Sequence, residues 1–126
     1  MEKIILDIET DGLLDSVTKV HCLVMKIEPT KHMSYVEVAT TEAEIKTAVK
    51  KLKESHIIGH NVLGFDLVVL KRLYGLDVPI DQVTDTLILS RLVYSDINQG
   101  SEQLIQDLLL LLHVSKFLCQ FLFLIH

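Results

Sequence analysis

Between Lys3 and Thr10 apolar and acidic residues alternate with a period of two. Ile4, Leu6 and Ile8 fall on one side of an extended strand, and Asp7 and Glu9 fall on the other. The pattern admits few folds: this strand is buried on one face and presents two neighbouring carboxylates on the other. Two anions held side by side repel unless a cation lies between them. A rigid strand that offers only oxygen donors suits hard Mg2+ or Mn2+ better than zinc. The six histidines and two cysteines show no CxxC or HExxH spacing that would build a zinc cage instead. Taken alone, Asp-x-Glu is also the pattern of an exposed strand end, with Asp11-Gly12 shaping the turn that follows it.

A second segment adds a third carboxylate. His56 to Asn61 reads as a short buried strand running into a polar loop. Phe65 to Leu73 then carries a helical apolar pattern in Phe65, Val68, Val69, Leu70 and Leu73. Asp66 is expected in the first turn of that helix, where the helix dipole stabilises a carboxylate by roughly 0.3–1 kcal/mol. That structural use of Asp66 stands beside a functional one.

The remaining chain organises around these two segments. Strand-like stretches near Val20 to Ile27 and Ser34 to Val38, with Pro29-Thr30 at the bend, complete a three-strand antiparallel meander. Thr41 and Glu44 form a capping box that opens a helix to about Glu54, with Ile45, Ala48, Val49 and Leu52 as its apolar stripe. The Asp66 helix stops at Gly75. After Pro79 a short strand or turn leads into a helix from about Thr86 to Val93, with Asp85 as its N-cap. Strands followed by alternating helix and strand imply an α/β mixed sheet.

The segment Leu6 to Leu13 resembles the first motif, and Gly59 to Asp66 the second motif, of the ribonuclease-H-like DEDD superfamily of 3′-to-5′ exonucleases. Asp85 to Leu92 resembles the stretch that follows in the proofreading domains of family A DNA polymerases, especially those of certain phages. The similarity runs in order from about Lys3 to about Ser101. It implies a ribonuclease-H-like α/β fold with flanking helices and an incomplete C-terminal part. Residues 1–101 would form the exonuclease-like domain and 102–126 a hydrophobic tail.

The resemblance also implies hydrolysis of phosphodiesters at the 3′ end of single-stranded DNA with two Mg2+ or Mn2+ ions. Asp7 would bridge both ions, Glu9 would hold the water-bearing ion, and Asp66 would serve the second. Asn61 would hold the 3′-terminal nucleotide, Leu13 would pack against its base, and Thr10 would offer a backbone contact. Plainer readings stand beside these: Leu13 as a core or turn residue, Asn61 as a loop cap, His60 as a strand-end residue. The family completes its site with Tyr-x-x-x-Asp or His-x-x-x-x-Asp, and neither occurs here. The nearest candidate runs from Gln103 to Asp107, with glutamine in the tyrosine position. A catalytically inactive remnant that keeps the fold and binds metal or nucleic acid weakly is therefore the alternative reading.

At 126 residues and 49% hydrophobic content, the chain can bury one sizeable core. A net charge of −5 argues against nonspecific phosphate binding by a basic surface. Nucleic acid is expected to be held locally, by metal and by a few side chains such as Lys71, Arg72 and Arg91, which serve equally as solvated helix positions. Cys22 and Cys119 give no disulfide framework, and the first residues lead directly into a strand rather than a secretory signal; a cytoplasmic location is expected, in a bacterial or phage-infected cell. The stretch from Leu108 to Ile125 is apolar around its whole circumference, yet Lys116 brings membrane insertion close to break-even. A membrane is thus not the expected partner; a polymerase domain or another replication protein is.

Overall fold

The alternating segment forms strand β1 (Lys3–Thr10), with Ile4, Leu6 and Ile8 buried. It pairs antiparallel with β2 (Val20–Glu28), which pairs antiparallel with β3 (Tyr35–Ala39), so the expected meander is present. The structure is a computed structural model that describes residues 1–94. The domain boundary at Ser101, the 102–126 tail and Asp107 all lie outside the described residues.

Helix α1 (Glu42–Lys53) follows the meander and opens on the expected capping box. Glu44 N–H donates to Thr41 Oγ1 at 3.2 Å, and Thr41 N–H donates to Glu44 Oε1 at 3.1 Å. The threonine hydroxyl holds the Glu44 carboxyl below its ordinary range. All four stripe residues, Ile45, Ala48, Val49 and Leu52, are buried.

The chain then returns along the other edge of β1. Strand β4 (His56–Gly59) runs parallel to β1, with Ile4 opposite Ile57 and Ile5 opposite Ile58. After α2 (Leu67–Tyr74) and a 3-10 turn (Ile80–Gln82), β5 (Val83–Asp85) adds parallel to β4, and α3 (Thr86–Tyr94) follows at once. The result is a five-stranded mixed sheet in the order β3-β2-β1-β4-β5, an α/β arrangement in which β2 runs against its neighbours. Gly75 ends α2 in the left-handed conformation, φ 70°, as its position after the apolar pattern predicts.

The main core joins Ile4, Leu6 and Ile8 of β1 to Ile45 and Leu52 of α1, Ile57 of β4, and Val69 and Leu70 of α2. A smaller cluster of Cys22, Val24 and Val38 lies apart from it. Cys22 is buried within this smaller cluster, and the second cysteine, Cys119, lies outside the described residues. Among the described residues, no helix is long and apolar enough to cross a membrane.

Candidate functional site

Parallel pairing sets β4 beside the first residues of β1, so the C-terminal part of β1 runs on past the end of β4, at the edge of an α/β sheet where strand ends and connecting loops leave room for ligands. A cleft of about 370 Å³ opens there. It is lined by Asp7, Glu9, Thr10 and Leu13 from β1 and its turn, and by His60, Asn61, Phe65 and Asp66 from the segment after β4. All six residues singled out as catalytic or substrate-binding, Asp7, Glu9, Asp66, Thr10, Leu13 and Asn61, therefore share one cavity wall.

The two carboxylates of β1 enter it as the strand period requires. Asp7 and Glu9 are each half-buried, and the atoms Asp7 Oδ2 and Glu9 Oε1 are fully buried. Glu9 Oε1 has no hydrogen-bond partner. The register of β1 and β2 slips between Glu9 and Thr10, so that Glu9 pairs with Cys22 but Thr10 with Val20. This irregularity at the cleft is the kind of local kink that re-aims side chains next to functional sites.

Asp66 arrives by a different route from the one expected. The helical backbone begins at Val62, not Phe65: a π-helical turn (Val62–Asp66) precedes α2, and Leu67 N–H reaches back to Val62 O. Asp66 is the last residue of that turn, 6% exposed, and makes no capping hydrogen bond. Asp66 thus stands at the N-cap position of α2, one residue before its first turn, rather than within it. Periodicity could not reveal this, because a π turn inserts one residue into the 3.6-residue repeat.

Asn61 stands at the head of the turn with φ 54° and ψ 30°, and among the described residues no other non-glycine has positive φ. Its carbonyl accepts from Gly64 N–H at 3.2 Å and Phe65 N–H at 3.0 Å. A Cβ at Gly59 would lie 2.8 Å from Val62 Cβ and 3.2 Å from Leu6 O, so the strand can enter the turn only without a side chain there. Asparagine tolerates the left-handed region better than most residues, and such outliers gather at ligand sites.

Three residues that the sequence left out of the site take part in it. Phe65, read as helix core, lines the cleft. His60, read as a strand-end residue, lines it too, with Nδ1 3.0 Å from Thr86 Oγ1. The Thr86 hydroxyl donates to Gly59 O at 3.3 Å, so it accepts from His60 Nδ1–H, and a neutral ring keeps its lone pair on Nε2. Asp85, read only as a helix cap, accepts the expected Leu87 N–H at 2.9 Å. It also accepts Asn61 N–H at 2.9 Å and Leu63 N–H at 3.0 Å.

The rim is held by other contacts. Asp11 accepts the Thr18 hydroxyl together with the amides of Thr18 and Lys19, at 2.9 and 3.0 Å, which lower its pKa from 3.8 to about 2. Asp11 thus shapes the turn, as its place before Gly12 predicts. Of the basic residues considered for phosphate, Arg72 donates to Leu14 O beside the exposed Leu13, and Lys71 pairs with Asp77 at 3.5 Å. Arg91 is exposed on α3.

The donor set fits a hard divalent ion in chemistry: oxygen ligands from Asp7, Glu9 and Asp66, one of them a buried carboxylate oxygen that no hydrogen bond satisfies. As placed, no group of three or more His, Cys, Asp or Glu among the described residues forms a ready metal cage. Compared with known families and with characterised proteins, the sequence matches no family model and no curated protein.

Proposed function

We propose that the chain is a ribonuclease-H-like 3′-to-5′ exonuclease domain, of the type that proofreads for family A DNA polymerases. The observation that carries this reading is the shared cleft: Asp7 and Glu9 from β1 and Asp66 from the turn after β4 face one cavity with Thr10, Leu13 and Asn61. The substrate is the 3′ end of a single strand, and the partner in the cell is a polymerase domain or another replication protein.

When bound, a pair of Mg2+ or Mn2+ ions supplies the charge that activates a water and stabilises the leaving oxygen. Asp7 would hold both ions, Glu9 the one nearer the attacking water, and Asp66 the other. Asn61, whose backbone is already engaged, keeps its side-chain amide for the terminal nucleotide. Leu13, 75% exposed at the rim, offers an apolar surface to a base. Thr10, its hydroxyl anchored to Gly12 O at 2.7 Å, would offer a backbone contact to the substrate.

A second reading, a non-catalytic remnant, is favoured by the absence of Tyr-x-x-x-Asp and His-x-x-x-x-Asp from the sequence. A site short of one carboxylate loses charge that the transition state needs. Incubation with 5′-labelled single-stranded DNA or RNA and Mg2+ or Mn2+ separates the two. A ladder shortened from the 3′ end, and lost in Asp7→Ala and Glu9→Ala, establishes the nuclease and its preferred strand. Metal binding by calorimetry without a ladder establishes the remnant. A ladder unchanged in both variants refutes the site.

A further inference from the structure

Asp85 does more than cap its own helix. Its carboxylate is 6% exposed, and both oxygens are committed to backbone amides: Oδ1 to Asn61 and Leu87, each at 2.9 Å, and Oδ2 to Leu63 at 3.0 Å. Leu87 lies at the start of α3, whereas Asn61 and Leu63 flank the first residue of the π turn. One side chain therefore satisfies amides at the start of two helical segments that lie on neighbouring strands.

We propose that Asp85 is a positioning residue for the cleft. It latches β5 and α3 to the loop that carries Asn61, and so fixes the left-handed backbone that presents the Asn61 side chain to ligand. The proposal rests on the nuclease reading for what the ligand is, a divalent cation with a nucleoside 5′-phosphate, but the latch stands on its own geometry. The left-handed region costs asparagine less than most residues but more than glycine, and here the Asn61 amide is fastened on one side by Asp85 while its carbonyl is fastened on the other by Gly64 and Phe65. Asparagine at position 85 would turn an NH2 group towards one of the amides that a carboxylate oxygen now accepts. Glutamate would need an extra methylene in a buried place.

The test uses the full chain with Asp85→Asn, Asn61→Ala and the double variant. Calorimetry measures binding of Mn2+ alone and of Mn2+ with thymidine 5′-monophosphate, and NMR gives the amide–Hα coupling and the hydrogen exchange of Asn61 and Leu63. Expected for Asp85→Asn are faster exchange at both amides, a coupling at Asn61 that leaves the left-handed value, and an affinity for Mn2+–thymidine monophosphate about 10- to 100-fold weaker, the scale of loss that misplaced binding groups bring. Mn2+ alone should still bind. The double variant should bind the nucleotide no more weakly than Asn61→Ala, since the latch acts through Asn61.

Unchanged coupling and exchange at Asn61 in a folded Asp85→Asn overturn the latch. Losses that add in the double variant show a general structural role and overturn the positioning. Loss of Mn2+ alone to the extent seen in Asp7→Ala makes Asp85 a ligand and likewise overturns it. A wild-type chain that takes up no Mn2+–nucleotide defeats the nuclease reading, while the coupling and exchange still decide the latch.

Discussion

Glu9 Oε1 is buried without a hydrogen-bond partner, next to a second strand carboxylate two residues away, and such an arrangement works against folding. Glu9→Gln should raise the melting temperature of the metal-free chain and abolish the rise that Mn2+ brings to wild type, both read by differential scanning calorimetry. Asp11 gives the opposite case. Hydrogen bonds at the turn depress its pKa from 3.8 to about 2, so its stabilising contribution is complete above pH 4 and fades as pH falls towards 2. Asp11→Asn should flatten acid unfolding across that window, monitored by circular dichroism, and leave stability at pH 7 lower than wild type. At this scale the sequence was informative wherever a residue acts through its neighbours in the chain. Asp7 and Glu9 share a face because two residues make one strand repeat, and Asp11 meets Thr18 within its own turn. Asp85 was legible as a cap for Leu87 but not as the partner of Asn61 and Leu63, which lie 24 and 22 positions away.

Helix α1 is the element most fully specified by local rules, since its cap and its stripe follow from residues in it or next to it. Thr41→Ala removes the hydroxyl from the Glu44 amide and should cost about 0.5–2 kcal/mol in urea unfolding. Leu52→Ala, at a position fully enclosed between helix and sheet, should cost about 2–5 kcal/mol by the same measurement. The turn from β4 to α2 is the element that local rules described least well. Its apolar periodicity marked α2 but not the π turn before it, because that turn answers to the approach of Val62 to Gly59 and to the amides taken by Asp85. Gly59→Ala should push Val62 and the β1 backbone apart, destabilise the chain by about 1–3 kcal/mol and weaken metal binding in the same calorimetric titration, as Asp66 moves with the turn.

The whole molecule is acidic, with a net charge of −5, so a nucleic acid strand approaches against the field and must be held at the cleft. Single-stranded DNA binding should vanish in EDTA. With Mg2+ present, log K against log salt should fall with a slope of about −0.7 to −1.5, the value for one or two phosphates neutralised on a single strand, as measured by fluorescence anisotropy. A much steeper slope would point to a basic surface instead. By itself, the sequence determined which segments become strand and helix, the π turn before α2 excepted, and which side of each is apolar, because repeats of two and 3.6 residues and the chemistry of caps are local. Only the tertiary structure decided that β4 returns parallel to β1 with Ile4 opposite Ile57, that Asp66 closes a π turn over the end of β1, and that Asp85 fastens the Asn61 loop. Those three facts assemble the cleft, and each depends on residues distant in the chain, whose partners are selected by packing and by the need to satisfy buried amides rather than by any adjacent residue.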